Sequence, residues 1–322
     1  MNQMMKAVVL TQPTKGTDVC LSEVRVPGVK PGWVLVRVKA FGMNHSEQIL
    51  REFEIEKEYI HKPIIPGIEC VGEIEDPSDS GLVRGQKIAA LMGGMGRSFD
   101  GSYAQYALLP VHHVFPVESG LSWEEMAAIP ETYFTAWGSL FQCLRLTAKD
   151  KLLVRGATCA LGYVAIQLAR ALGCVVVGTT HRESKLQLLQ EAGCDECILD
   201  EGSLQGKVSG ITRALELIGI RTVKDTMMSM EQGGIVCNTG VLGKVYEWNH
   251  FDPIRDIPNG VCLTGFYSNY PTQQTMHAIF HFIDEHALKP LIGEVYEFEQ
   301  IRNACIALDS GRVNGKIVVR VW

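Results

Sequence analysis

Between Lys151 and Arg182 the chain reads KLLVRGATCALGYVAIQLARALGCVVVGTTHR, and this stretch limits the fold more than any other. Lys151–Arg155 is a short apolar run of strand type, whereas Ala160–Leu172 puts Leu161, Val164, Ala165, Leu168 and Leu172 on one helical face. Val175–Thr179 is a second apolar strand. Between the first strand and the helix lies a turn with Gly156 for a sharp bend and Gly162 for close packing of the helix on the sheet. A strand, a tight turn and a helix N-terminus together aim unpaired backbone N–H groups and a positive helix end at one point. That is the chemistry a pyrophosphate needs. Thr158, Cys159, Ala160, Leu161 and Gly162 are the candidate cradle. Cys159-Ala160 stand where a full GxGxxG fingerprint has glycine, so the motif alone leaves an ordinary βα turn open as an alternative.

The pattern continues on both sides. Ser184–Glu191 reads as a helix, and Cys197–Leu199, Ala214–Ile218, Ile235–Asn238 and Cys262–Phe266 read as strands. Such alternation predicts an α/β fold with a doubly wound parallel sheet of Rossmann type. Ligands of such sheets bind at the carboxyl ends of the strands, which adds Gly240, Val241, Leu242, Phe266, Tyr267 and Ser268 as candidates. The first ~120 residues instead carry short strand signals with turn punctuation, as at Pro27-Gly28 and Pro31-Gly32, and predict an all-β module. Ser122-Trp123-Glu124-Glu125 looks like a capping sequence where the character changes.

The second strand of the dinucleotide unit ends in Thr179-Thr180-His181-Arg182, with Lys185 one helical turn later. An NAD site usually places a carboxylate at this tip for the ribose 2′-hydroxyl. Here Thr180, His181, Arg182 and Lys185 suit a 2′-phosphate, so the expected cofactor is NADPH; a plain solvated helix start is the alternative.

A net charge of −6 gives no basic stripe, so nucleic acid is not an expected partner. Tyr163–Gly178 is broken by Gln167, Arg170 and Gly173, so no membrane span is expected. The opening MNQMMKAVVLTQ is unlike a secretory leader, and the expected location is cytoplasmic. Ten cysteines are then expected to be reduced, including the CxxC pair Cys194 and Cys197.

Five segments in order carry a family resemblance: Pro66–Gly72 (PGIECVG), Gly101–Pro110 (GSYAQYALLP), Ala127–Leu140 (AAIPETYFTAWGSL), Leu152–Gly173 and Gly315-Lys316-Ile317-Val318-Val319. Together they resemble the medium-chain dehydrogenase/reductase superfamily, in its zinc-independent quinone oxidoreductase branch. The resemblance implies a GroES-like β domain made of residues 1–120 and 269–322, with a Rossmann domain at 121–268 inserted between them. It further implies an active site where the nicotinamide meets the β domain, an interdomain helix over Ala127–Leu140 with its Thr135 beneath that ring, and a homodimer through the edge of the Rossmann sheet.

Positions resembling the zinc ligands of alcohol dehydrogenases are Asn44 and Ile68, and neither suits zinc. Glu69 alone does not make a site, and His112-His113, read as extended, point to opposite sides; no metal is expected. Without a Lewis acid the easier acceptor is a quinone, enone or enal, whose conjugated carbonyl takes up the developing charge. Asn44 is the first candidate for a polar group at the reacting centre, bonding nicotinamide or substrate oxygen, or else holding the strand-to-helix turn. Tyr133 and Tyr59 are candidate proton donors or plain packing residues. Glu47 stands where the family commonly has Asp. Two rivals stay open: a relative of the zinc alcohol dehydrogenases, and a non-catalytic NADPH-binding protein.

Overall fold

The computed structural model describes residues 3–322. In chain order it forms β1 (Met4–Val8), β2 (Leu21–Arg25), β3 (Trp33–Met43), α1 (His45–Glu52), β4 (Glu69–Asp76), β5 (Lys87–Leu91), β6 (Tyr106–Pro110) and β7 (Val114–Pro116). Two helices follow, α2 (Trp123–Ala127) and α3 (Pro130–Trp137). The alternating segment comprises β8 (Lys151–Arg155), α4 (Ala160–Leu172), β9 (Val175–Thr180), α5 (Leu186–Glu191), β10 (Glu196–Leu199), β11 (Arg213–Glu216), α6 (Val223–Met228), β12 (Ile235–Asn238), α7 (Pro253–Asp256) and β13 (Cys262–Gly265). Then come α8 (Gln273–Glu285), β14 (Ile292–Glu297), α9 (Ile301–Ser310) and β15 (Lys316–Arg320).

The chain makes two compact units, one up to Phe134 together with Asn269–Trp322, the other Thr135–Ser268. In the first, β3 alternates so that Val34, Val36, Val38 and Ala40 are fully buried while Arg37 and Lys39 reach outward. It sits centrally in a seven-stranded sheet of order β14-β15-β3-β4-β5-β7, with β6 also paired to β3. Phe41 stacks on Tyr103 at 4.5 Å and meets Phe298 edge-on at 6.0 Å, which anchors α9's approach to the core. This is the GroES-like module, closed by strands from the end of the chain.

The second unit is a six-stranded parallel sheet of order β10-β9-β8-β11-β12-β13, the doubly wound arrangement. Its core joins Leu153, Val177, Ala214 and Val236 from four neighbouring strands. Helix α4 has the expected bounds but buries a wider face, adding Tyr163, Ile166 and Ala169, while Leu161 and Leu172 at its ends are half-buried.

Three expectations are corrected. The first unit extends to Phe134 rather than to residue 120, because α2 packs on β3 and β4 and Glu131 N–H bonds the Glu69 carboxylate at 2.7 Å. His112-His113 lie in a 3-10 turn rather than an extended segment, so their rings are neighbours, 4.4 Å apart. The helix expected through Leu140 widens into a π-helix at Gly138–Cys143. There the Ser139 hydroxyl bonds back to Thr135 O at 2.7 Å, and the Phe266 ring occupies the space of a side chain at residue 138. All ten cysteines are free thiols, and no described helix is long and apolar enough to cross a membrane.

Candidate active site

Strand β3 delivers Asn44 to the start of α1, where its backbone N–H is held by the Glu47 carboxylate at 2.7 Å. The side chain faces elsewhere. Its amide NH2 donates to Glu69 Oε1 at 2.8 Å, and its Oδ1 accepts from Lys316 Nζ at 2.6 Å. Lys316 opens β15, donates also to Thr132 Oγ1 at 2.7 Å and lies 2.6 Å from Glu69 Oε1. Lys316 is 3% exposed and Glu69 0%, so this ion pair is desolvated and survives because nearly every polar atom in it is matched. Gly42 makes room for it: a Cβ there would lie 2.5 Å from both Glu69 Oε1 and Lys316 Cε.

Glu47 is the strained member. It is wholly buried and its two oxygens accept from Asn44 N and, at 3.1 Å, from Ile68 N. Burial, then the Glu69 charge, push its carboxyl up to about 7 against the pull of Lys316 and the bond from Ile68 N.

In the second unit the turn after β8 has the form a dinucleotide requires. Gly156 has φ +80°, and a Cβ on Gly162 would lie 2.2 Å from Ala157 O, so only glycine lets helix and turn approach. Cys159 caps α4 by accepting from Gly162 N at 3.4 Å. Leu242 and Ile218 bring the loops after β12 and β11 to Gly156, where a Cβ would lie 3.5 and 3.0 Å from them. Gly240 lies on Leu217 so closely that a Cβ would meet its carbonyl oxygen at 2.1 Å, and Val241 continues this loop half-buried. The Oδ1 of Asn238, at the end of β12, is buried with no partner. These residues fit a bound dinucleotide.

At the tip of β9, Thr180 is buried, shares a hydrogen bond with Thr158 at 3.3 Å and accepts Arg182 N at 3.2 Å. Arg182 Nε donates to His181 Nε2 at 3.2 Å, both side chains being exposed. Burial and then the Arg182 charge push Lys185 down, a pairing of like charges that an anion relieves. Ala160 and Leu161 line the half-buried start of α4.

The remaining candidates are scattered. Thr135 is buried at the start of the second unit; Ser139, which bonds its carbonyl, also meets Thr239 at 2.9 Å. Phe266 is fixed against Gly138, Tyr267 is 74% exposed and Ser268 half-buried. Tyr133 is buried on α3, which pushes its phenol pKa up. Tyr59 is 58% exposed and donates to Glu54 Oε1 at 3.1 Å, while Arg97 holds the other oxygen, Oε2, of the same carboxylate.

Sequence reading missed Lys316, Thr132 and the second unit's own charged core. Arg155 is fully buried, giving Nε and Nη2 to Asp200 at 2.7 and 3.0 Å and Nη1 to Asp225 at 2.8 Å and Thr226 at 3.0 Å. Thr226 donates in turn to buried Glu216, which holds Ile218 N and Gly219 N. A signal was present: Lys316, Glu69, Arg155 and Glu216 each border the apolar run of a strand, where a buried charge must find a partner.

Residues 30–119 match the alcohol dehydrogenase GroES-like domain family, and residues 192–319 the family described as zinc-binding dehydrogenase. The quinone oxidoreductase of Homo sapiens is 28% identical over 296 residues, covering 88% of this chain and 87% of that protein. An alcohol dehydrogenase of Geobacillus stearothermophilus is 27% identical over 352 aligned positions, covering 98% and 100%. The crystal structure of AibC superposes with a TM-score of 0.87 at 25% identity, covering 99% of this chain and 96% of that one. A GroES-like unit and a doubly wound cofactor unit in one chain define a dehydrogenase/reductase architecture. The chain belongs to the medium-chain dehydrogenase/reductase superfamily, in its quinone oxidoreductase-like branch.

Proposed function

We propose that this protein is an NADPH-dependent reductase of quinones or α,β-unsaturated carbonyls. The carrying observation is Asn44, a half-buried amide set on a desolvated ion pair instead of on a metal. Thr158–Gly162 would hold the pyrophosphate, and His181, Arg182 and Lys185 the 2′-phosphate. When bound, NADPH supplies the hydride. Asn44 donates an N–H to the acceptor's carbonyl oxygen as negative charge builds there, and the reduced product takes its proton from a nearby hydroxyl or water.

Zinc does not fit the positions that resemble its ligands. Ile68 has no donor atom, and the Lys316 ammonium already sits on Asn44 Oδ1 and Glu69 Oε1, where a second cation would be repelled. Among the described residues no three His, Cys, Asp or Glu side chains converge as ligands. The same reading takes the protein as a cytoplasmic homodimer joined through β13, one of the two edges of its sheet. Nucleic acid and membrane have no part in it.

The test is NADPH consumption with 1,4-benzoquinones, alkenals and cyclic enones. The expected result is turnover of conjugated acceptors with a higher kcat/KM for NADPH than for NADH. A preference for NADH, or turnover confined to simple alcohols and ketones, would overturn the proposal. Tight NADPH binding with no turnover of any acceptor would favour a sensor.

A further inference from the structure

We infer that Lys316 is a positioning residue: with Glu69 it pins the Asn44 amide so that the group can act toward a ligand only as a hydrogen-bond donor. The inference rests on the functional reading above and specifies which atom of the acceptor faces Asn44. An asparagine amide is nearly symmetrical in shape, and a half-turn about its last bond exchanges donor for acceptor. Here that half-turn is blocked by charge. It would set NH2 against the Lys316 ammonium and the carbonyl against the Glu69 carboxylate, in place of bonds of 2.6 and 2.8 Å. Both ions are buried, so the reversal costs far more than it would in water.

The pinning group is itself immobile. Lys316 has three N–H bonds and three oxygens around it, those of Asn44, Thr132 and Glu69. The other Glu69 oxygen is held by Glu131 N, and the Asn44 backbone by Glu47. One amide hydrogen of Asn44 goes to Glu69. The second is left for a ligand, which must therefore present an acceptor, such as the carbonyl oxygen of a quinone or enone. The charges that fix the amide lie behind it and never touch the substrate.

Removing Lys316 alone would strand the Glu69 charge and risk the fold, so the test uses the neutral pair Lys316→Met with Glu69→Gln, beside Asn44→Ala. Three quantities are read: kcat and KM with a 1,4-benzoquinone, NADPH affinity by fluorescence, and the Asn44 side-chain amide signal by NMR of protein carrying isotope-labelled asparagine. That signal is assigned by its loss in Asn44→Ala. The expected result for the pair is a folded protein with NADPH affinity within about twofold of wild type and kcat lowered about tenfold or more. The carboxylate-bonded amide proton, shifted downfield in the wild type, moves back toward the value of a free amide. A pair with wild-type kcat, beside an impaired Asn44→Ala, would overturn the positioning role and leave the role of Asn44 standing. An Asn44→Ala enzyme with wild-type kcat would instead sink the functional reading, and this inference with it.

Discussion

Each unit of this protein buries a charged network, and the two differ in how fully their donors are used within the fold. Around Arg155 the network is closed. The guanidinium bonds Asp200, Asp225, Thr226 and two carbonyls, and its field helps keep both aspartates below the usual carboxylate range despite burial. Around Lys316 the network is open. Asn44 keeps one amide hydrogen at a half-buried position, and Glu47 is driven up to about 7. A closed network ties the ends of β8, β10 and β11 together; an open one leaves a directed donor and a carboxyl poised to titrate.

The largest effect is expected from breaking the closed network. Arg155→Met leaves Asp200 buried without its partner, and the loss should be about 3–5 kcal/mol of unfolding free energy in a denaturant titration. A loss under about 1 kcal/mol would mean that the network is slack. The cluster at the tip of β9 contrasts with both, being cationic, with Arg182 exposed and Lys185 half-buried. The double variant Arg182→Ala with Lys185→Ala should lower the NADPH-over-NADH ratio of kcat/KM by about 100-fold or more, since charge-assisted bonds to a phosphate are each worth about 1.5–3 kcal/mol. An unchanged ratio would remove those residues from the cofactor site.

The subtlest effect sharpens the open network. Because its folded pKa is raised from 4.5 to about 7, Glu47 holds a proton in the folded state that the unfolded chain releases earlier. Its contribution to stability is complete below pH 4.5 and is lost as the pH rises to about 7. Glu47→Gln cannot titrate. Across that window the wild-type unfolding midpoint should fall relative to the variant's, and the difference should level off above it. Parallel curves would contradict the raised pKa.

What was legible in the sequence follows from the range of the forces involved. The unit from Lys151 to Arg182 could be read because its strands and helix are set by local periodicity, and α4 has the bounds that periodicity gives. Asn44 could be located by resemblance, yet its neighbours could not, since Lys316 lies 272 residues away and Glu69 25. Only a charge bordering a strand's apolar run announces such a pair, without naming the partner. The π-helix was hidden for the same reason: the ring that demands Gly138 belongs to Phe266, on a distant strand end. His112-His113 went wrong locally, where a 3-10 turn after Pro110 replaced the extended segment.

The most direct test sets kcat with NADPH and a 1,4-benzoquinone against the unfolding midpoint for one variant from each network, Asn44→Ala and Thr226→Val. Asn44→Ala, which takes one bond each from buried Lys316 and Glu69, is expected to lose about 100-fold in kcat beside about 1–3 kcal/mol of stability. Thr226→Val, which leaves Arg155 and Glu216 each one bond short, is expected to lose about 1–3 kcal/mol of stability and keep its kcat. If Asn44→Ala turned over at the wild-type rate, or if the two variants lost activity and stability in the same proportion, the division of labour between the two networks would be wrong.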